Sequence, residues 1–181
     1  MTEADRVLKR RNELIGQYEM IHRNKPNYGR SSEDLLGPMM RVFSKFDGIQ
    51  SILDYGCGRS HTVDWLAKLL DAEAHRYDPA IPQFSVLPVT ECDAVICTDV
   101  LEHIPKEDMQ NVISEIASVS HLVYFNICTR PAATMLPNGE NAHCTVETDN
   151  WWFSFLQDTF PLIKKTFSPR KQNVSFITLG L

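Results

Sequence analysis

Apolar residues recur at helical spacing through the first stretch of the chain: Val7, Leu14, Ile15, Tyr18 and Ile21 fall near one face of a helix over 3–22. The periodicity stops at Asn24-Lys25-Pro26-Asn27-Tyr28-Gly29, a run of turn-forming residues. Ser31-Ser32-Glu33-Asp34 then reads as a helix start, with Ser31 as N-cap and the acidic Asp34 three residues on. It opens a helix to about Phe46 that Gly37-Pro38 is expected to disturb.

From residue 50 the pattern changes. Short apolar runs at 50–54, 75–78, 93–98 and 121–127 read as buried strands, and 60–70 and 106–119 as helices. Strands alternating with helices predict a mostly parallel sheet covered on both faces. After a long loop over 128–148, Asp149 or Asn150 is expected to cap a helix over 151–158. The end reads as two strands, 162–167 and 174–179, whose hairpin makes the sheet mixed. The interval between Asp78 and Asp93 carries Pro79, Pro82 and Pro88. It has no room for two crossovers of about a dozen residues each, so the sheet should be abbreviated there, with 84–87 at most a short strand.

Composition narrows the class. The chain is 181 residues long, 43% hydrophobic and 23% charged, the balance of a globular domain with a core of its own. No apolar run approaches the roughly 20 residues that span a bilayer, and residues 1–12 lack the apolar core of a secretion signal. The five cysteines, at 57, 92, 97, 128 and 144, include no Cys-x-x-Cys pair, which points to a reduced, cytoplasmic protein. A formal net charge of −5 argues against broad nucleic-acid binding. The basic clusters at 9–11, 23–25 and 164–171 read as solvated faces that could serve an acidic substrate. No membrane partner is indicated, and the sequence leaves the oligomeric state open.

The candidate chemistry begins at Asp54-Tyr55-Gly56-Cys57-Gly58-Arg59-Ser60, where a strand passes through a glycine turn into a helix. Glycines allow the turn and a close approach of a ligand. The helix start offers N–H groups and a positive dipole end to a carboxylate such as that of methionine. Asp54 is placed for an ammonium group. Asp78, ending the second strand, is placed for both hydroxyls of a ribose. A dinucleotide fingerprint would want a third glycine where the chain has His61.

These residues carry a resemblance. Ile52 to Ser60 looks like the first motif of class I S-adenosylmethionine-dependent methyltransferases, and Asp93 to Ile104 is similar to their fourth-strand motif. The resemblance implies a Rossmann-like α/β fold, a seven-stranded sheet with its last strand antiparallel, over one domain of 1–181. Within it, 1–46 would form a helical lid and 50–181 the core. It implies S-adenosylmethionine as cofactor, with Asp54, Tyr55, Gly56, Cys57 and Gly58 at the methionine end. Asp78 and Pro79 would hold the ribose, and Thr98, Asp99 and Val100 would lie beside the cofactor. The family's acidic residue for the adenine amine has no clear counterpart; Glu91 is the nearest.

Two features could supply a base for an acceptor that must lose a proton. One is Asp99-Val100-Leu101-Glu102-His103, at the carboxyl end of a strand. The other is Asn141-Ala142-His143-Cys144, in a loop long enough to suggest function. Asp99, His103 and His143 are the candidate catalytic residues, although Glu102 and His103 could simply bond neighbouring backbone. Tyr18, His22, Tyr28 and Arg30 are candidate lid contacts, and Trp151, Trp152, Phe153 and Phe155 read as core. The expected activity is methyl transfer to an oxygen or nitrogen of a small molecule or terminal sugar, with no metal assigned. Two alternatives stand beside it. One is a non-catalytic cofactor-binding partner subunit. The other is a metal-assisted RNA 2′-O-methyltransferase, because Asp99-x-x-Glu102-His103 with His143 resembles the metal site of small-RNA 3′-terminal methyltransferases.

Overall fold

The alternation from residue 50 onward builds a six-stranded sheet in the computed structural model, which describes residues 1–179. The strands are β1 (Ser51–Tyr55), β2 (Glu73–Tyr77), β3 (Ala94–Thr98), β4 (Val123–Cys128), β5 (Ile163–Thr166) and β6 (Asn173–Thr178), in the order β2-β1-β3-β4-β6-β5. β2, β1, β3 and β4 are parallel; β6 runs antiparallel to β4, and β5 antiparallel to β6. The mixed sheet and its antiparallel end follow the reading of the sequence.

The helices are α1 (Glu3–Asn24), α2 (Leu36–Phe43), α3 (Thr62–Leu70), α4 (Lys106–Val119) and α5 (Asp149–Gln157). One sheet face packs Leu53, Val95, Val123 and Phe125 against Met109, Ile113 and Ile116 of α4 and Trp152 and Leu156 of α5. The other packs Ile52, Ile96 and Tyr124 against Met39 and Phe43 of α2 and Val63 and Leu66 of α3. Trp152 is fully buried, so the aromatic run of α5 serves as core, as expected.

Four local expectations are corrected. Six strands are present among the described residues, against the seven implied by the resemblance. Within the abbreviated interval 84–87 forms no strand, as the expectation allows; Pro82–Phe84 is a short 3-10 turn, and Asp78 N–H donates to the Phe84 carbonyl at 3.0 Å. The predicted capping box at Ser31 does not form. Ser31–Leu35 is a 3-10 turn without a side-chain cap, because Ser31 Oγ donates to Asp99 and Asp34 accepts from Arg170. Gly37-Pro38 does not disturb the helix either, since Pro38 falls in the first turn of α2, where its missing N–H has no intrahelical partner to lose. Finally, α5 is capped by Thr148 rather than Asp149 or Asn150, the Thr148 hydroxyl accepting from Trp151 N–H at 3.2 Å.

The site is positioned by the sheet order. β1 leads outward to β2, and the chain returns to place β3 on the other side of β1. The carboxyl ends of β1 and β3 therefore flank a topological switch point, where open α/β sheets leave a crevice for ligands. α1 lies over this end. Its Leu14 and Ile21 pack on Leu136 and Ala142 of the long loop, and Arg11 grips Asp108 of α4 through two bonds of 2.6 and 2.5 Å.

Candidate functional site

The crevice is a single cavity of about 730 Å³, within the range typical of small-molecule sites. Tyr55, Gly56, Gly58, Asp78, Pro79, Asp99 and Val100 line one side, and Glu102, His103, Cys128, Arg130 and His143 the other. Tyr18, His22, Tyr28 and Arg30 close it from the N-terminal segment. The structure thus gathers most of the residues nominated from the sequence into one chamber. Asp54, Cys57 and Thr98 are buried but do not line it, and Glu91 is exposed and outside it.

On the glycine-loop side, both glycines sit in the left-handed region, Gly56 at φ 79° and Gly58 at φ 52°. The space their missing side chains leave is taken by protein. A Cβ on Gly58 would stand 2.5 Å from the Gly29 carbonyl oxygen, and one on Gly56 would stand 2.3 Å from Val100 Cγ2. The loop's N–H groups are also engaged, which differs from the expected open cradle. Gly56 and Cys57 donate to the Tyr77 carbonyl, Gly58 to Asp78 Oδ2, Arg59 to the Gly29 carbonyl and Ser60 to the Cys57 carbonyl.

Asp78 accepts from Gly58 N–H and Ala80 N–H, each at 2.9 Å, and burial raises its pKa. Asp54 lies beneath the loop with Oδ2 buried and unpartnered, and burial pushes its carboxyl up to about 8. An unpartnered oxygen of this kind fits a cationic ligand group, because a buried acceptor left empty carries its full desolvation cost.

Asp99 is occupied. Its backbone takes a positive φ of 55°, and its carboxylate accepts from Arg170 Nη1 at 2.7 and 2.9 Å and from Ser31 Oγ at 2.6 Å. Arg170, on the β5–β6 connection, also binds Asp34 and the Ser31 carbonyl. This arginine ties the N-terminal segment to the end of β3. Sequence reading left it in a generic basic cluster, since nothing local in 164–171 distinguishes it. Asp99 therefore holds the chamber together rather than standing free as a base.

Glu102, His103 and His143 are arranged differently. Glu102 is fully buried; Oε1 accepts from Cys128 N–H at 2.9 Å, while Oε2 has no partner. Burial and the nearby Asp99 push its carboxyl up to about 8. His103 Nδ1 lies 2.8 Å from the Ala142 carbonyl, and His143 Nδ1 lies 2.6 Å from the Arg130 carbonyl. A carbonyl can only accept, so each Nδ1 carries a proton; in a neutral ring Nε2 then presents a lone pair. Tyr18 OH steadies His103 by donating to the same Ala142 carbonyl at 2.7 Å. Burial and His143 push His103 down to about 4, keeping it neutral at neutral pH. One ligand atom from each of Glu102, His103 and His143 lies within 4.8 Å of the others.

The long loop is built to hold this geometry. Asn141 Oδ1 accepts from Ala132 and His143 N–H, and Asn141 Nδ2 donates to the Ala132 carbonyl. Thr145 N–H donates to the Glu102 carbonyl at 3.0 Å. The bland alternative for Glu102, a backbone brace only, accounts for one of its two oxygens.

No protein-family model matches the chain, and no curated protein matches it. Solved structures do. The 1,6-didemethyltoxoflavin-N1-methyltransferase of Burkholderia thailandensis, crystallised with S-adenosylhomocysteine and 1,6-didemethyltoxoflavin, covers 98% of this chain and 89% of its own, with a TM-score of 0.60 at 10% identity. The N-terminal domain of EvdMO1, in the presence of S-adenosylhomocysteine and D-fucose, covers 82% and 84%, with a TM-score of 0.57 at 14% identity. The small RNA methyltransferase HEN1 covers 87% of this chain but only 26% of its own, with a TM-score of 0.54 at 10% identity. Likeness at such identities is likeness of fold: the chain has the fold of class I S-adenosylmethionine-dependent methyltransferases.

Proposed function

We propose that this protein binds S-adenosylmethionine and transfers its methyl group to an oxygen or nitrogen of a small molecule or terminal sugar. The observation that carries this reading is the union of two half-sites in one chamber. Gly56, Gly58 and Asp78 stand on one side at the topological switch point, and His103 and His143, each held through Nδ1 by a backbone carbonyl, stand on the other. Asp78, on the chamber wall, would meet the ribose hydroxyls; Asp54, sealed beneath the glycine loop, would act on the ammonium of methionine from behind that loop. The bound sulfonium supplies the electrophilic methyl group. The protein's part is to orient an acceptor in line with it and receive a proton where the acceptor must lose one.

Neighbours crystallised with S-adenosylhomocysteine and a small acceptor support the same direction. In this reading residues 1–46 act as lid to the 50–181 core, and the free cysteines suit a cytoplasmic location. Among the described residues no helix is long and apolar enough to cross a membrane.

A second reading is favoured by the Glu102, His103 and His143 cluster. Histidines whose Nδ1–H is held by a carbonyl are fixed in the manner that outer hydrogen bonds impose on metal ligands, and each offers a ligand atom within 4.8 Å of the other and of Glu102. An unpartnered carboxylate oxygen completes the set. These three residues fit a divalent cation, which would supply Lewis-acid activation of an acceptor hydroxyl. Acceptors would then include a sugar at an RNA end, and one neighbour is named as a small RNA methyltransferase.

Isotope transfer from labelled S-adenosylmethionine into a metabolite pool, run with and without a chelator and Mn2+, tests both readings. Label appearing in a product, with S-adenosylhomocysteine formed in equal amount, is the expected result. Chelator-insensitive transfer would remove the metal reading. No transfer to any pool, despite tight cofactor binding, would leave the non-catalytic partner subunit in its place.

A further inference from the structure

His22 stands in the last turn of α1. It is only 6% exposed, it lines the cavity, and among the described residues neither ring nitrogen has a hydrogen-bond partner. Nδ1 is sealed within the protein. Nε2 is not sealed in this way, and it too has no protein partner among the described residues. An unbonded imidazole nitrogen at a cavity wall is a point where a polar group of a ligand can gain a hydrogen bond.

The side chain is held there rigidly. Tyr28 packs edge-on against it, with ring centroids 5.3 Å apart. The His22 carbonyl accepts from Arg59 Nη2 at 3.1 Å, and the Gly29 carbonyl accepts from Arg59 N–H at 2.9 Å. The lid is thereby stitched to the glycine loop, with Gly29 seated against Gly58. Across the cavity wall stands Asp78, close enough that its charge opposes the effect of burial on His22.

The two groups are complementary toward a vicinal diol. Each hydroxyl of such a diol is both donor and acceptor. Asp78 can only accept, and each of its oxygens already takes one backbone N–H while keeping a lone pair free. A carboxylate therefore satisfies the diol's hydrogens and leaves its oxygens without a donor. A neutral imidazole provides one N–H and one lone pair.

We infer that His22 completes the ribose subsite from the lid side, hydrogen-bonding one of the two hydroxyls that Asp78 holds from the β2 side. The lid is then part of cofactor recognition and not only a cover for the acceptor. This rests on the cofactor reading above.

The test is a double-mutant cycle by titration calorimetry, using S-adenosylhomocysteine and its 2′-deoxy and 3′-deoxy analogues against wild type and His22→Phe. His22→Phe should bind S-adenosylhomocysteine about five- to fifty-fold more weakly, the effect of one buried polar group. It should lose nothing further to the analogue lacking the hydroxyl that His22 contacts. His22→Gln, which keeps a donor, should recover part of the loss. Melting curves check folding, and His22→Gln takes the place of His22→Phe in the cycle if the latter does not fold. Binding within twofold of wild type, or an equal loss for all three ligands, overturns the assignment. Absence of S-adenosylhomocysteine binding by the wild type overturns the cofactor reading itself, so the two failures are distinguishable.

Discussion

On the glycine-loop side of the cavity every backbone N–H from Gly56 to Ser60 has a protein partner, and the carboxylate of Asp99 is held by Arg170 and Ser31. On the long-loop side Glu102 Oε2 has no partner, and a ligand atom from each of Glu102, His103 and His143 lies within 4.8 Å of the others. The backbone of one wall is closed upon itself, with the orphaned Asp54 Oδ2 sealed beneath it; the other wall is braced from behind and carries its orphaned carboxylate oxygen beside two histidines. The difference teaches where to look for affinity and where for chemistry. A wall whose groups are satisfied by its own fold binds through shape and a few placed acceptors. A wall with orphaned ligand atoms is held ready for something that is not protein.

The sharpest way to break the closed wall is Gly58→Ala. The new methyl meets the Gly29 carbonyl at 2.5 Å, and the residue keeps a left-handed conformation. Strain of about 1–2 kcal/mol adds to overpacking of about 1–3 kcal/mol. Urea denaturation should show a loss of about 2–5 kcal/mol, and proteolysis should find the lid near Gly29 newly accessible.

Arg170→Ala comes next. It leaves Asp99 and Asp34 without their shared cation, and part of that site is solvated, so a loss of about 1–3 kcal/mol is expected in the same measurement. The variant sharpens the comparison if lid accessibility rises while the absorption spectrum of Co2+ bound to the Glu102 cluster is unchanged.

Glu102→Gln tests the open wall, and its sign is distinctive. The Glu102 carboxyl in the folded protein, at about 8, lies above its ordinary value of about 4.3. Its contribution to stability is fully present at low pH and is lost as pH rises through that interval. Wild-type melting temperature in chelator should therefore fall between pH 5 and 8, with Asp54 contributing in the same direction. Glu102→Gln should flatten part of this slope and abolish Co2+ binding while leaving S-adenosylhomocysteine affinity within about twofold. An unchanged slope would show that the carboxyl is not buried as described.

The smallest effect is expected at a distance from both walls. Thr148→Ala removes the α5 cap and should cost about 1 kcal/mol in stability without altering ligand binding. A larger change in the Co2+ spectrum would show that the loop behind His143 depends on that helix start.

The sheet was legible because its strands are short, apolar and separated by helices with clear periodicity. α4 falls on the residues its pattern marks, and β1 and β3 shift by a single residue. The closed wall was legible in outline from Gly56, Gly58 and Asp78, whose spacing is local. Arg170 was not, since its role depends on Asp34 and Asp99, which are far from it in sequence. The same long-range engagement explains why Ser31 and Asp34 looked like a capping box and are not one. Glu102 was undervalued for a related reason. That one of its oxygens is satisfied by Cys128 and the other by nothing is a property of the packed loop, invisible in the string Asp99 to His103. Thr148 shows the small-scale version: Thr148, Asp149 and Asn150 are all polar, and only backbone geometry selects the cap among them.

The central claim is that this chamber holds S-adenosylmethionine, with Asp78 at the ribose. Titration calorimetry of S-adenosylhomocysteine into wild type and Asp78→Asn tests it most directly. The account predicts saturable binding of one ligand per chain, weakened about tenfold or more in Asp78→Asn, which keeps one carbonyl acceptor and the fold. No saturable binding by the wild type, or equal affinity in the two proteins, would contradict it.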